Sequence, residues 1–359
     1  MAMGGRKEKI LQAVVDSYIS TASPVSSSEL RDKYFDQLSS ATLRNELAAL
    51  EDMGYLAQPH TSSGRVPTAE AYKLYVERLM PKRRLTREEL GTVKRYFNRK
   101  ITEIDEVLKN TAKVISEITN LTSVAYVGNL DEAVIRSIKF VKIDESTALV
   151  VIVTDIGILK DATVQMGFDA PESFFDKANE FVSEAFCGLK IGDIVGAKAK
   201  RTLKDIKAEY QALYNTIYRI LKDYHHDEMA SELVLEGSSK ILEQPEYTNL
   251  TKAKAMLDML DAKKQLVPVL RSNDDLSLSI KIGRDNELTD GLPECAIVTA
   301  SITAGGKSMG SAGVIGPIRM DYAKVVSVLD YISRALSNPD GLLESSDDNI
   351  EDNSEDTIQ

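Results

Sequence analysis

Two cysteines and three histidines in 359 residues leave few classes of chemistry open. Cys187 and Cys295 cannot build a disulfide framework or a cysteine-rich zinc site, and three histidines leave little for a metal cage, so no cofactor and no metal are expected. Long apolar runs are missing as well. The longest, Ala148–Val153, falls far short of the roughly 20 residues of a membrane-spanning helix. The opening MAMGGRKEKI has no apolar stretch after its basic residues, so no secretory signal and a cytoplasmic location are expected. Catalytic motifs are absent too. Ala304-Gly-Gly-Lys-Ser308 has the look of a phosphate loop, but the position that requires the first glycine is Ser301. His225 and His226 are adjacent, so on a helix they point about 100° apart and cannot share one metal. Neither a paired-carboxylate motif nor a Gly-x-Ser-x-Gly elbow occurs. The chain is not expected to be an enzyme.

What the sequence does hold is charge, unevenly placed. It is 43% hydrophobic and 28% charged, which suits folded domains, and its length predicts two or three of them. A net charge of −11 argues against nucleic acid for the chain as a whole. Residues 1–100, however, carry 17 Lys/Arg and 12 Asp/Glu, and residues 101–359 carry 27 and 43. The first hundred residues are therefore basic. Their densest run comprises Lys82, Arg83, Arg84, Arg87, Lys94, Arg95, Arg99 and Lys100. Such a run is either a solvated helix face or a contact to a phosphate backbone. Residues 337–359 are acidic, aperiodic and poor in apolar side chains, so a disordered tail is expected there.

The basic segment reads as an ordered array. Ile10, Leu11, Val14, Val15 and Tyr18 follow the spacing of an amphipathic helix, which Pro24 ends. A short second helix begins at the serines after Val25. A third runs from about Ser40 to Met53, with Leu43, Leu47 and Leu50 on one face and Ala41, Asn45 and Ala48 opposite, and Gly54 closes it. Tyr55–Gln58 and Arg65–Pro67 read as strands around the loop Pro59–Gly64, and Thr68 caps a further helix to Met80. Three helices and a β-hairpin make the winged variant of helix-turn-helix. In that arrangement the third helix fits the major groove of double-stranded DNA. Asn45 can pair with adenine, Arg44 with guanine or a phosphate, Ser40 and Thr42 with bases or phosphates, and Ala41 permits close approach. His60, Thr61, Ser62, Ser63 and Arg65 suit a hairpin lying along the backbone. Ser39, Ser40 and Thr42 also suit a helix cap, and helix-turn-helix arrays serve protein contacts too.

Four longer segments carry a resemblance. Ser39–Leu56, Gln58–Val76, Leu235–Tyr247 and Gly313–Ser333 stand in order across about 330 residues and are similar to the recognition helix, the wing, an internal signature and the C-terminal signature of the HrcA family of heat-inducible transcription repressors. Ile318 departs from the pattern, where a small polar residue is expected, and the acidic tail is long. The resemblance implies a homodimer that binds an inverted-repeat operator, the CIRCE element near chaperone genes, blocks transcription there, and depends on the GroEL chaperonin. It implies an α+β multidomain fold: a winged-helix domain over 1–80, a helical linker over 81–121, a GAF-like antiparallel-sheet domain from 122–167 and 231–336, and a mainly helical dimerising domain inserted over 168–230. The residues themselves show only that β-branched strand candidates (Ser123–Val127, Ser137–Ile143, Thr147–Thr154, Ile156–Gln165, then Leu276–Ile282, Cys295–Thr303 and Ser308–Ile315) flank helices, among them Glu172–Phe186 and Leu203–Asp223, and that Asp321–Leu336 is a closing helix. A regulator gated by a small-molecule ligand of the GAF-like domain is the alternative.

Overall fold

The structure, a computed structural model, describes residues 4–60, 64–97, 104–128, 130–144, 146–155, 157–165, 171–196, 211–225, 233–271, 278–283, 295–304 and 307–337. The chain is mixed α/β with antiparallel strand pairing, and it divides into two compact units. One takes the described parts of 1–127, 228–300 and 311–329; the other takes those of 128–227, 301–310 and 330–359.

The first unit begins with helices α1 (Gly5–Thr21), α2 (Ser27–Tyr34) and α3 (Ser40–Asp52), strands β1 (Leu56–Ala57) and β2 (Val66–Pro67), and α4 (Ala69–Leu74), which continues as one π-helical turn to Leu79. Local chemistry sets each boundary. Ser26 caps α2 by accepting from the Glu29 amide, and Thr68 caps α4 by accepting from Ala71. Gly54, at φ +82°, turns the chain after α3 as the left-handed geometry requires. Ile10, Leu11, Val14, Leu30, Leu43 and Leu50 are fully buried and form this head's core.

After α5 (Arg87–Phe97) and α6 (Ile104–Thr119) comes a five-stranded sheet. Its strands are β3 (Thr122–Val127), β7 (Val234–Glu236), β8 (Leu278–Ile282), β9 (Cys295–Ala304) and β10 (Lys307–Pro317), in the order β7-β3-β10-β9-β8. Helices α10 (Leu250–Asp261) and α11 (Lys263–Arg271) contribute Met256, Leu260 and Leu266 to a core shared with Val124, Tyr126, Ile297 and Ile315. The segment Leu235–Tyr247 is a clasp. Lys240 donates to the Ser116 carbonyl near the end of α6 at 2.6 Å, beside the Asn120 amide that donates to the same oxygen at 3.0 Å. Gly237, at φ +71°, sits so close to Ser116 that a β-carbon there would lie 2.1 Å from its Oγ.

The second unit holds a three-stranded meander, β4 (Ile135–Lys142), β5 (Thr147–Thr154) and β6 (Gly157–Gln165), with α7 (Glu172–Phe186), α8 (Ile191–Val195) and α9 (Gln211–His225). Here the structure departs from the expected division. Strands β4–β6 do not join the five-stranded sheet; they form a sheet of their own. The reason is what covers them. Ile138, Phe140, Val150 and Ile152 are buried on one face. Helix α7 packs on β4, and Asn179 accepts from the Phe140 amide at 2.7 Å while donating to its carbonyl at 3.1 Å. Strands β3 and β4, on either side of residue 128, therefore belong to different sheets. Residues 197–210 and 226–232, where part of the expected Leu203–Asp223 helix lies, are outside the described residues, as are 338–359 of the tail. No described helix is long and apolar enough to cross a membrane.

Candidate nucleic-acid interface

Helix α3 presents two faces. Leu43, Leu47 and Leu50 are buried against the head, while Ala41, Arg44 and Asn45 are exposed at positions i, i+3 and i+4. Neither Arg44 nor Asn45 is held by another described side chain. Both are therefore available at the surface, on a helix whose backbone is fixed. Three contacts fix it. Ser39 accepts from the Thr42 amide at 3.0 Å, and its hydroxyl lies 2.9 Å from the Thr42 hydroxyl, so this pair caps the helix. Lys7 of α1 is ion-paired with Glu46. Arg31 of α2 donates to the Ser40 hydroxyl at 3.2 Å. Ser40 and Thr42 are thus half-buried and already partnered, unlike the exposed three.

The hairpin is anchored from below. Arg65 and Val25 exchange two backbone hydrogen bonds, at 2.8 and 2.9 Å, so the loop after α1 adds a third short rung to β1 and β2. Gly64 lies against that rung: a β-carbon there would stand 2.4 Å from the Val25 carbonyl oxygen. The Arg65 side chain is mostly covered, and its Nε donates to Glu51 at 2.8 Å, so it ties the hairpin to the far end of α3. His60 is exposed in the bend three residues after β1. Thr61, Ser62 and Ser63 lie outside the described residues.

The basic run is partly committed to structure. Thr86 and Glu89 form a reciprocal capping box at the start of α5. Glu89 also receives Arg83 at 2.8 Å and faces Lys324 at 3.5 Å. Burial pushes the Glu89 carboxyl up, but hydrogen bonds from Arg83 and Thr86 and these cations outweigh it and hold it below its ordinary value. Arg95 pairs with Glu117 at 2.9 Å. Lys82, Arg84, Arg87 and Lys94 remain exposed and, among the described residues, unpaired.

Against known proteins, residues 105–326 match the family model for the HrcA protein C-terminal domain. The chain is 37% identical over 342 residues to the heat-inducible transcription repressor HrcA of Clostridium botulinum, covering 94% of this chain and 98% of that one. The chain belongs to the HrcA family. The HrcA of Acetivibrio thermocellus is 35% identical over 339 residues, covering 94% and 96%. A crystal structure described as that of a hypothetical protein has a TM-score of 0.69 at 20% identity, over 94% of this chain and 98% of that one, which is a likeness of fold. This HrcA-family chain is thus a heat-shock transcription repressor.

Sequence reasoning missed three supports of α3 and the hairpin: Arg31, Glu51 and Val25. Each acts across a tertiary contact, from 9 to 40 residues away in sequence, and carries no periodic signal.

Proposed function

We propose that the head over residues 4–80 is a winged-helix DNA-binding domain, that α3 enters the major groove, and that the protein binds the CIRCE inverted repeat as a homodimer and blocks transcription of chaperone genes. The observation that carries this is the exposed, unpartnered Ala41–Arg44–Asn45 face on a helix capped and clamped by its surroundings, since base readout needs free polar groups on a rigid element. The N-terminal end of α3 and the exposed Lys82, Arg84, Arg87 and Lys94 supply backbone contacts. The five-stranded sheet with α6, α10 and α11 is read as the GAF-like domain. Family membership supports the GroEL chaperonin as the partner that sustains the active form, with misfolded protein diverting it during heat stress.

The second unit, around 128–227, is read as the inserted dimerising domain. On the sheet face opposite α7, Leu149, Val151 and Val153 are half-buried, and Val141 and Ile143 beside them are more than half exposed. These apolar side chains, with Lys139 opposite Val151, form the kind of partly exposed patch that marks an interface. Leu149→Asp is expected to weaken the dimer by at least about tenfold, because it places a charge directly opposite Val141 on that face. Sedimentation of the full chain measures it, and an unchanged dimer constant contradicts this surface.

Arg65 has two separable roles, positioning the hairpin and meeting a phosphate. Arg65→Ala is expected to weaken all duplexes about equally and to flatten the salt dependence of binding by about one unit. Glu51→Ala, which removes the tie to α3 and leaves the Arg65 guanidinium in place, is expected to leave that slope unchanged. A slope unaffected by Arg65→Ala removes the phosphate contact and leaves the positioning role alone.

A mobility shift with a CIRCE duplex and a scrambled duplex, at a stated salt concentration, tests the central reading. Preference for CIRCE that strengthens when GroEL is added is the expected result. Equal retention of both duplexes contradicts it.

A further inference from the structure

One side chain connects the DNA-binding head to the five-stranded sheet within the first unit. Helix α1 ends with Ala22 in left-handed geometry, so the carbonyls of its last turn lack helical partners. The Ile19 carbonyl is one of them, and Arg319 donates to it through Nη1 at 2.8 Å. The same guanidinium reaches Glu246 through Nε at 2.7 Å and through Nη2 at 3.4 Å, and Gln244 through Nη2 at 3.3 Å. It is well covered, with 14% of its side-chain surface exposed against 19% for Glu246. One planar fork thus joins three segments: the end of α1, the clasp after β7, and the turn after β10. A cation at the negative end of the α1 dipole adds to the fit.

The neighbours reinforce this joint. Tyr72 of α4 and Tyr322, the first residue of helix α12 (Tyr322–Ser337), are both buried, with ring centroids 5.9 Å apart. Tyr75 donates to Asp16 at 2.7 Å, which holds the π turn on α1. Tyr322 donates to the Ile318 carbonyl at 2.8 Å. The backbone of position 318 makes this contact whatever its side chain. Because α1 carries α3 through their shared core and the Lys7–Glu46 pair, whatever fixes the end of α1 also fixes the attitude of α3 to the sheet.

We propose that Arg319 is a positioning residue for DNA recognition, holding α1 and α3 at a set angle to the five-stranded sheet so that the two heads of a dimer meet both half-sites at once. The proposal rests on the operator reading above. A dimer with fixed heads binds its second half-site at high effective concentration and rejects altered spacing; a dimer with loose heads loses both advantages. Lysine cannot replace the fork, since a single ammonium cannot span Ile19, Glu246 and Gln244 in one plane.

The test uses the full chain and its Arg319→Gln and Arg319→Lys variants. The probes are the CIRCE duplex, the same duplex with five base pairs added between half-sites, and a single half-site. Parent protein is expected to discriminate strongly against the added spacing. Arg319→Gln is expected to bind the intact duplex at least about tenfold more weakly and to lose most of its spacing discrimination, with half-site binding unchanged. Arg319→Lys should fall between the two. Arg319→Gln with full spacing discrimination overturns the proposal, as does loss of half-site binding in a variant whose thermal transition is unchanged. Hydrogen exchange gives a readout without DNA. Residues 16–22 should exchange faster in Arg319→Gln while 122–127 are unaffected, and equal exchange overturns the joint. If the parent binds none of the probes, the operator reading is what fails, and the exchange result still decides the joint.

Discussion

Replacing Arg44 and Asn45 together with alanine is expected to reduce operator affinity by about 30-fold to about 10⁴-fold, since a well-placed bidentate contact to a base is worth about 1–3 kcal/mol and two are removed. Stability should not fall. Both side chains are exposed on α3 and unpartnered among the described residues, and alanine is the stronger helix former at each position. A variant that unfolds at the parent's temperature but no longer distinguishes CIRCE from scrambled duplex separates recognition from folding. The single variants divide the roles further. If Asn45 reads adenine, Asn45→Ala relaxes preference at one base pair only. If Arg44 meets guanine it does the same at another; if it meets a phosphate, its loss weakens every duplex and lowers the salt slope by about one. An unaltered CIRCE preference in the double variant removes α3 from base readout.

The second large effect is expected at Gly64. An alanine methyl there would stand 2.4 Å from the Val25 carbonyl oxygen and 2.5 Å from its carbon, and both are backbone atoms that cannot swing aside. Relief requires parting Val25 from Arg65, which breaks the two hydrogen bonds between them. Two net bonds at about 1 kcal/mol each, with strain added, put the cost to the head at roughly 2–4 kcal/mol. Gly64→Ala should therefore lower the head's thermal transition and weaken all duplexes, specific and scrambled alike, because the hairpin is displaced while α3 keeps its side chains. A head of unchanged stability in Gly64→Ala contradicts the close packing that makes glycine necessary here.

What was legible in the sequence was local. The Leu43–Leu47–Leu50 stripe, the Ser39 cap and Gly54 defined α3 because all three signals act within one or two turns. The short β-branched run Thr147–Thr154 marked β5 as a strand for the same reason. The partition of strands between sheets was not legible. A period of two says which residues share a face, not what lies against it, and only the packing of α7, with Asn179 bonded to Phe140, shows that β4–β6 stand apart. Strand β7 is three residues long, too short to show any period. The Arg319–Glu246 pair spans 73 residues of sequence, and nothing in the composition links its two ends. Whole-chain charge concealed the site, since the acidity of residues 101–359 outweighs a basic head.

Footprinting of the full chain on the CIRCE duplex tests most directly whether this protein reads an inverted repeat with two copies of α3. The account predicts two protected major-groove faces related by two-fold symmetry, both lost in the Arg44→Ala/Asn45→Ala variant. Protection of one half-site alone, or protection that survives the double substitution, would contradict it.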